Sequence, residues 1–246
     1  MTNGDLFQGA TALITGANKG IGFEIARGLG ASGIVVLIGA RDEARGQAAA
    51  AQLKAEGVDA RFVPLDVTNK ETIDRAARWI EEQFGVLDIL VNNAGIGEWG
   101  FKPSDVDLAK VREVYETNLF GPMAVTQAML PLLRRSKHGR IVNVSSGLGS
   151  LSLANDPQSP ISQFLALGYN TSKTALNSMT VQFANELRDT PIKVNAVCPG
   201  YCATDLNGHS GPRTAAQGAI APVRYATLGD AGPSGGYFDE DGPVAW

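Results

Sequence analysis

Tyr169 and Lys173 stand four positions apart in the run Tyr169, Asn170, Thr171, Ser172, Lys173. On a helix, positions i and i+4 share a face, so the ammonium lies one turn from the phenol and favours its ionised form. A free phenol titrates near pH ~10, too high for efficient proton transfer at neutral pH, and a fixed cation beside it is one way to lower that value. The pair therefore reads as a general acid/base. The same spacing also occurs on ordinary solvated helices, so its meaning depends on what the rest of the chain brings to it.

A second group of residues has the chemistry of a phosphate cradle. Ala10 to Ile14 form an apolar run suited to a buried strand, and it ends in Thr15, Gly16, Ala17, Asn18, Lys19, Gly20, Ile21, Gly22. Ile21, Ile25, Ala26 and Leu29 then recur at helical spacing until Gly30 and Gly33. A glycine-rich turn between a strand and a helix N-terminus lets the backbone approach a pyrophosphate, and the helix dipole favours the anion. The spacing differs from the commonest dinucleotide fingerprint, Gly-x-Gly-x-x-Gly, but the strand-turn-helix context is the one such a site requires.

These groups need a scaffold. Apolar runs predict strands near 10–15, 34–39, 60–65, 87–92, 139–145, 192–198 and 236–238, with helical patterns between them. Thr68, with Glu71 three positions on, forms a capping-box signature before a helix near 69–84, which Gly85 ends. A long helical pattern runs from about Leu108 to Arg135 and carries Asn118 in its interior, where an Asn is mildly unfavourable. Val- and Ile-rich strands alternating with helices predict an α/β fold: one doubly wound, Rossmann-like parallel sheet of about seven strands, flanked by helices on both faces. Its ligand crevice lies beyond the carboxyl ends of the strands, where the motifs fall.

Composition narrows the function. The motifs spread over all 246 residues, so 1–246 reads as one oxidoreductase domain. A formal charge of −4 offers no general attraction to nucleic acid or anionic membrane, and no apolar run reaches membrane-spanning length. The short polar start, Met1 to Asp5, carries no targeting pattern, and the expected location is cytoplasmic. Two cysteines, Cys198 and Cys202, with two histidines do not make a metal site, and the cysteines read as reduced thiols, one at a strand end and one on a loop.

Taken in order, Thr15-Gly-x-x-x-Gly20-x-Gly22, Asn92-Asn93-Ala94-Gly95, Asn118, Ser145-Ser146, Tyr169-x-x-x-Lys173 and Pro199-Gly200 resemble the short-chain dehydrogenase/reductase family in its single-domain form. The run from Gly39 to Ala49 with Ala55, Glu56 and Gly57, and the ending from Gly235 through Pro243 to Trp246, are similar to the monomeric carbonyl reductases. The resemblance implies hydride transfer between a nicotinamide and a carbonyl carbon, with Tyr169 giving its proton to the carbonyl oxygen. Lys173 would lower the tyrosine pKa and hold the nicotinamide ribose. Strand alternation leaves Ser145 and Ser146 both open as the group that binds the carbonyl oxygen, and the family pattern implies Ser146. By the same resemblance, Asn118 supports a water linked to Lys173.

For the cofactor, the resemblance implies contacts from Gly16, Asn18, Lys19, Gly20, Ile21 and Gly22, from Asp66 and Val67 at the adenine, and from Asn93, Ala94 and Gly95 under the adenosine ribose. It further implies Tyr169, Lys173, Pro199, Gly200 and Thr204 on the nicotinamide side. At the end of the second strand, Ala40 occupies the place of the ribose-binding acid and Arg41 follows. With Lys19 it offers two cations to a 2′-phosphate, so NADPH/NADP+ is the expected cofactor, although Asp42 could still serve a ribose. The stretch 148–167 is an insertion, rich in prolines and poorly suited to regular structure, that forms a flap beside the crevice. Trp99, Phe101, Leu148, Phe164 and Tyr201 suggest an apolar substrate surface, hence a bulky or aromatic ketone or aldehyde. A 3-oxoacyl thioester reductase, an alcohol or steroid dehydrogenase, and a dinucleotide-sensing binding protein are the alternatives, and the chain could be a monomer or a homo-oligomer.

Overall fold

The computed structural model describes residues 6–100 and 102–246. Met1 to Asp5 and Phe101 lie outside the described residues. Seven strands, β1 (Thr11–Thr15), β2 (Val35–Ala40), β3 (Ala60–Pro64), β4 (Ile89–Asn92), β5 (Arg140–Val144), β6 (Lys193–Val197) and β7 (Tyr237–Phe238), form one sheet. Their order is β3-β2-β1-β4-β5-β6-β7, and every neighbouring pair is parallel. The chain moves outward from β1 to β3, then returns to pair β4 with β1. That reversal leaves a crevice beyond the ends of β1 and β4.

Parallel strands covered on both faces must be apolar on both, and all five residues of β1 are buried, as are all four of β4. One core, including Ile14, Ile25, Leu29, Ile38 and Val91, packs α1 (Gly20–Ala31) and α2 (Glu43–Ala55) against the sheet. The other, including Leu13, Leu37, Ile73, Ile80, Leu90 and Met129, packs α3 (Lys70–Phe84) against the opposite face.

Two local expectations change. The cap of α3 is Asn69, whose side chain accepts from the N–H groups of Glu71 and Thr72, because the Thr68 hydroxyl already donates to Asp66 Oδ1 at 2.7 Å. The long helical pattern divides into α4 (Leu108–Tyr115), a π-turn (Glu116–Phe120) and α5 (Gly121–Leu133). Pro122 has no N–H to give the carbonyl four residues back, at Asn118, so the regular ladder cannot pass this point. The wider turn carries Asn118 inward, where it is fully buried instead of solvent-facing.

The insertion is also more regular than its prolines suggest. A 3₁₀ turn at Gly147–Gly149 leads to α6 (Leu151–Asn155), capped by Ser150 Oγ accepting from Leu153 N–H at 3.1 Å. A second 3₁₀ turn spans Pro160–Gln163, with Pro160 in an opening position where no N–H is needed. The chain then enters α7 (Leu167–Glu186), which carries Tyr169 and Lys173, and the last helix, α8 (Ala215–Ala226), packs against α1.

Candidate active site

At the crevice, the fold encloses a cleft of about 790 Å³. Gly16, Asn18, Lys19, Gly20, Ile21 and Gly22 line one end, Arg41, Asp66 and Val67 line another wall, and Asn93, Ala94, Gly95, Tyr169, Lys173 and Thr204 complete it. Pro199 and Gly200 do not line this cleft; they follow β6 in the loop that leads to Thr204. The glycine-rich turn and the Asn93–Gly95 segment are tied together by Thr15, whose Oγ1 accepts from the N–H groups of Asn93 and Ala94, both at 3.0 Å. Asn93 returns the contact, its Nδ2 donating to the Thr15 carbonyl at 2.9 Å. A Cβ at Gly22 would lie 2.4 Å from that Nδ2 and 2.6 Å from the Gly16 carbonyl, so only glycine lets α1 begin this close to the turn. The result is a helix N-terminus open to the cleft with the shape and polarity of a dinucleotide site.

Two of the lining residues have partners of their own in this structure. Lys19 Nζ is paired with Asp205 Oδ2 at 2.5 Å, across the mouth of the cleft, so its charge is not free for a phosphate in this arrangement. Both side chains are 54% exposed, which makes the pair weak and readily exchanged. Asp42 is the N-cap of α2, accepting from Arg45 N–H at 2.9 Å, and this use competes with binding a ribose. Arg45, unforeseen, lines the cleft beside Arg41.

At the reacting end, Tyr169 and Lys173 are both buried. Burial pushes the Tyr169 phenol up to about 12, while the Ser146 hydroxyl facing it pulls the other way. Burial also drives Lys173 down, to about 8. Its Nζ donates to the Val144 carbonyl at 2.8 Å and lies 5.7 Å from the centre of the tyrosine ring. The expected lowering of the phenol by Lys173 is not what this arrangement produces: loss of water dominates for both groups, and the ammonium is directed at a backbone carbonyl. The two serines have different partners. Ser145 Oγ donates to Asn177 Oδ1 at 2.6 Å and is buried, whereas Ser146 faces the phenol.

Asn118 reaches the site from the π-turn. Its Oδ1 accepts from Ile96 N–H at 2.9 Å, and its Nδ2 donates to the Ile96 carbonyl at 2.8 Å and to Ser172 Oγ at 3.1 Å. A Cβ built on Gly95 would sit 3.4 Å from Asn118 Oδ1 and 3.6 Å from Lys173 Nζ, so these two side chains face one another across Gly95. The aromatic residues gather outside the cleft. The Trp99 ring lies 5.0 Å from that of Tyr169, and Phe164 meets Tyr201 edge to face at 6.4 Å. Phe164 and Tyr201 are about half exposed, and Leu148 sits in the 3₁₀ turn directly after Ser146. Sequence patterns gave no sign of Glu98, which is buried against the start of α7, or of Asp205 at the mouth.

The short chain dehydrogenase family model matches residues 10–214. A short-chain dehydrogenase of Penicillium roqueforti is 40% identical over 224 residues, covering 88% of each chain. Rat carbonyl reductase [NADPH] 3 is 37% identical over 254 residues, covering 88% of this chain and 90% of that one. Among solved structures, the NADPH-bound carbonyl reductase from chicken fatty liver superposes with a TM-score of 0.84 at 28% identity, over 97% of this chain and 100% of that one. With the strand order and the cleft already pointing the same way, the chain belongs to the short-chain dehydrogenase/reductase family of oxidoreductases.

Proposed function

We propose that residues 1–246 form one NADPH-dependent carbonyl reductase that reduces an apolar or aromatic ketone or aldehyde to the alcohol. The observation that carries this reading is the placing of Tyr169 and Lys173, one turn apart on α7, in the wall of the cleft, with the Ser146 hydroxyl acting on the phenol and the Trp99 ring 5.0 Å from that of Tyr169. The nicotinamide, when bound, supplies the hydride. Ser146 orients the carbonyl oxygen and shares its developing charge. Tyr169, held in its protonated form by burial, donates the proton to that oxygen. Lys173 holds the ribose side of the cofactor and, with Asn118 across Gly95, bounds the route by which the proton is replaced. Thr204 contacts the nicotinamide side, and Pro199 and Gly200 lead the chain to it from β6.

The names of the rat and chicken relatives support NADPH and carbonyl reduction. Arg41 and Arg45 support a phosphate on the adenosine ribose. Among the described residues no helix is long and apolar enough to cross a membrane, and both cysteines are free, which fits a reducing compartment such as the cytoplasm. The test is NADPH and NADH oxidation measured against ketones, quinones, aldehydes and acyl thioesters. Fastest turnover of acyl thioesters would replace the proposed substrate class, and binding without turnover of any substrate would make the chain a dinucleotide sensor. For the insertion, Phe164→Ala should change KM or stereochemical preference for bulky ketones several-fold while the NADPH Kd, read by fluorescence, stays put. An equal loss in both would assign Phe164 to the fold alone.

A further inference from the structure

We infer that Glu98 is a positioning residue for proton transfer: its carboxylate fixes the first turn of α7 and with it the phenol of Tyr169. The inference rests on the role proposed above for Tyr169. Helix α7 starts after Ala166, whose methyl group cannot cap it, so its first N–H groups need acceptors from elsewhere in the chain. Glu98 supplies them from a distant loop. Its Oε1 accepts from Gly168 N–H at 2.6 Å and from Tyr169 N–H at 3.3 Å, and its Oε2 accepts from Tyr169 N–H at 2.9 Å.

Glu98 is only 8% exposed, and a buried carboxylate is costly unless its charge is met. Among the described residues no cation pairs with it, so the charge is met by these N–H groups and the positive end of the helix dipole. Gly168 is shaped for this contact, since a Cβ there would lie 3.1 Å from each carboxylate oxygen. The loop is itself anchored two residues earlier, where Asn118 bonds both backbone groups of Ile96. One residue later, Trp99 lays its ring against the Tyr169 ring and donates its Nε1–H to the Leu206 carbonyl at 2.9 Å. Tyr169 is therefore gripped at its main chain by Glu98 and at its ring by Trp99, from a segment whose base is hydrogen-bonded to Asn118. The phenol lies far from its own Cα, so a small tilt of the first helical turn becomes a large displacement of the oxygen, and ~1 Å there can cost ~10²-fold in rate.

Glu98→Ala, Glu98→Gln, Gly168→Ala and Tyr169→Phe would be compared for kcat and KM on the best ketone, and for NADPH Kd by fluorescence. Glu98→Ala is expected to lose at least about tenfold in kcat while NADPH Kd stays within about threefold, and Glu98→Gln, which keeps one of the two acceptor oxygens, recovers part of the loss. Gly168→Ala leaves Glu98 in the sequence but crowds its carboxylate by a few tenths of an ångström, and should reproduce part of the kcat loss; it gives the second readout if Glu98→Ala does not fold. The inference is overturned if Glu98→Ala and Gly168→Ala stay within about twofold of wild type, if kcat and NADPH affinity fall together, or if Gln is no better than Ala. Turnover that survives Tyr169→Phe would instead sink the underlying assignment of Tyr169, whereas a dead Tyr169→Phe beside fully active Glu98 variants would reject the positioning role alone.

Discussion

Tyr169→Phe is expected to remove nearly all ketone reduction while leaving NADPH affinity within a few-fold. The substitution deletes the phenolic hydroxyl on which Ser146 acts and keeps the ring that packs on Trp99, so the site keeps its shape and loses its proton. Groups in this role contribute ~10²–10⁴-fold, so a variant that retains more than about a tenth of wild-type kcat would show that the proton comes from elsewhere. The pH dependence follows from the same residue. With burial pushing the phenol up to about 12, Tyr169 keeps its proton throughout the neutral range, and reduction requires no prior uptake. The reverse reaction, alcohol oxidation, needs the phenolate. Its rate should climb as pH rises toward the phenol pKa, and Tyr169→Phe should abolish that climb.

The second large effect is expected in cofactor choice. Arg41→Asp combined with Lys19→Ala should shift the NADH to NADPH ratio of kcat/KM by at least tenfold, because it removes cations from a 2′-phosphate and places an acceptor beside a ribose. Each charge-assisted hydrogen bond is worth about 1.5–3 kcal/mol, so a smaller shift would count against a phosphate site at this wall. The two single variants should differ. Lys19 is already paired with Asp205, whereas Arg41 lines the cleft among the described residues with no ion pair of its own. Arg41→Asp should therefore carry most of the effect, and Lys19→Ala alone should act weakly, in part by freeing the Asp205 loop. Native Asp42 already has both oxygens engaged by Arg45, Oδ1 capping α2 and Oδ2 3.5 Å from the Arg45 guanidinium, which competes with a ribose.

What the sequence determined by itself was the set of local signals. Apolar β-branched runs separated by amphipathic helices dictate a parallel sheet because each strand must be covered on both faces, and the seven strands fall where those runs lie. The glycine turn was legible because strand, close approach and helix N-terminus are contiguous in the chain. Tyr169 and Lys173 were legible because one helical turn joins them. The tertiary structure decided whatever depends on partners distant in sequence. Strand alternation gave Ser145 and Ser146 alike, and only the fold gave them different partners, Asn177 for the first and the Tyr169 phenol for the second. Lys19 found Asp205 from a loop near the other end of the chain, and Asn118 turned inward because Pro122 interrupts the helix that carries it. Glu98 bears no motif at all. Its role comes from a fold that brings the loop after β4 to the uncapped start of α7, and a side chain whose partners are backbone N–H groups from another element leaves no pattern in the sequence.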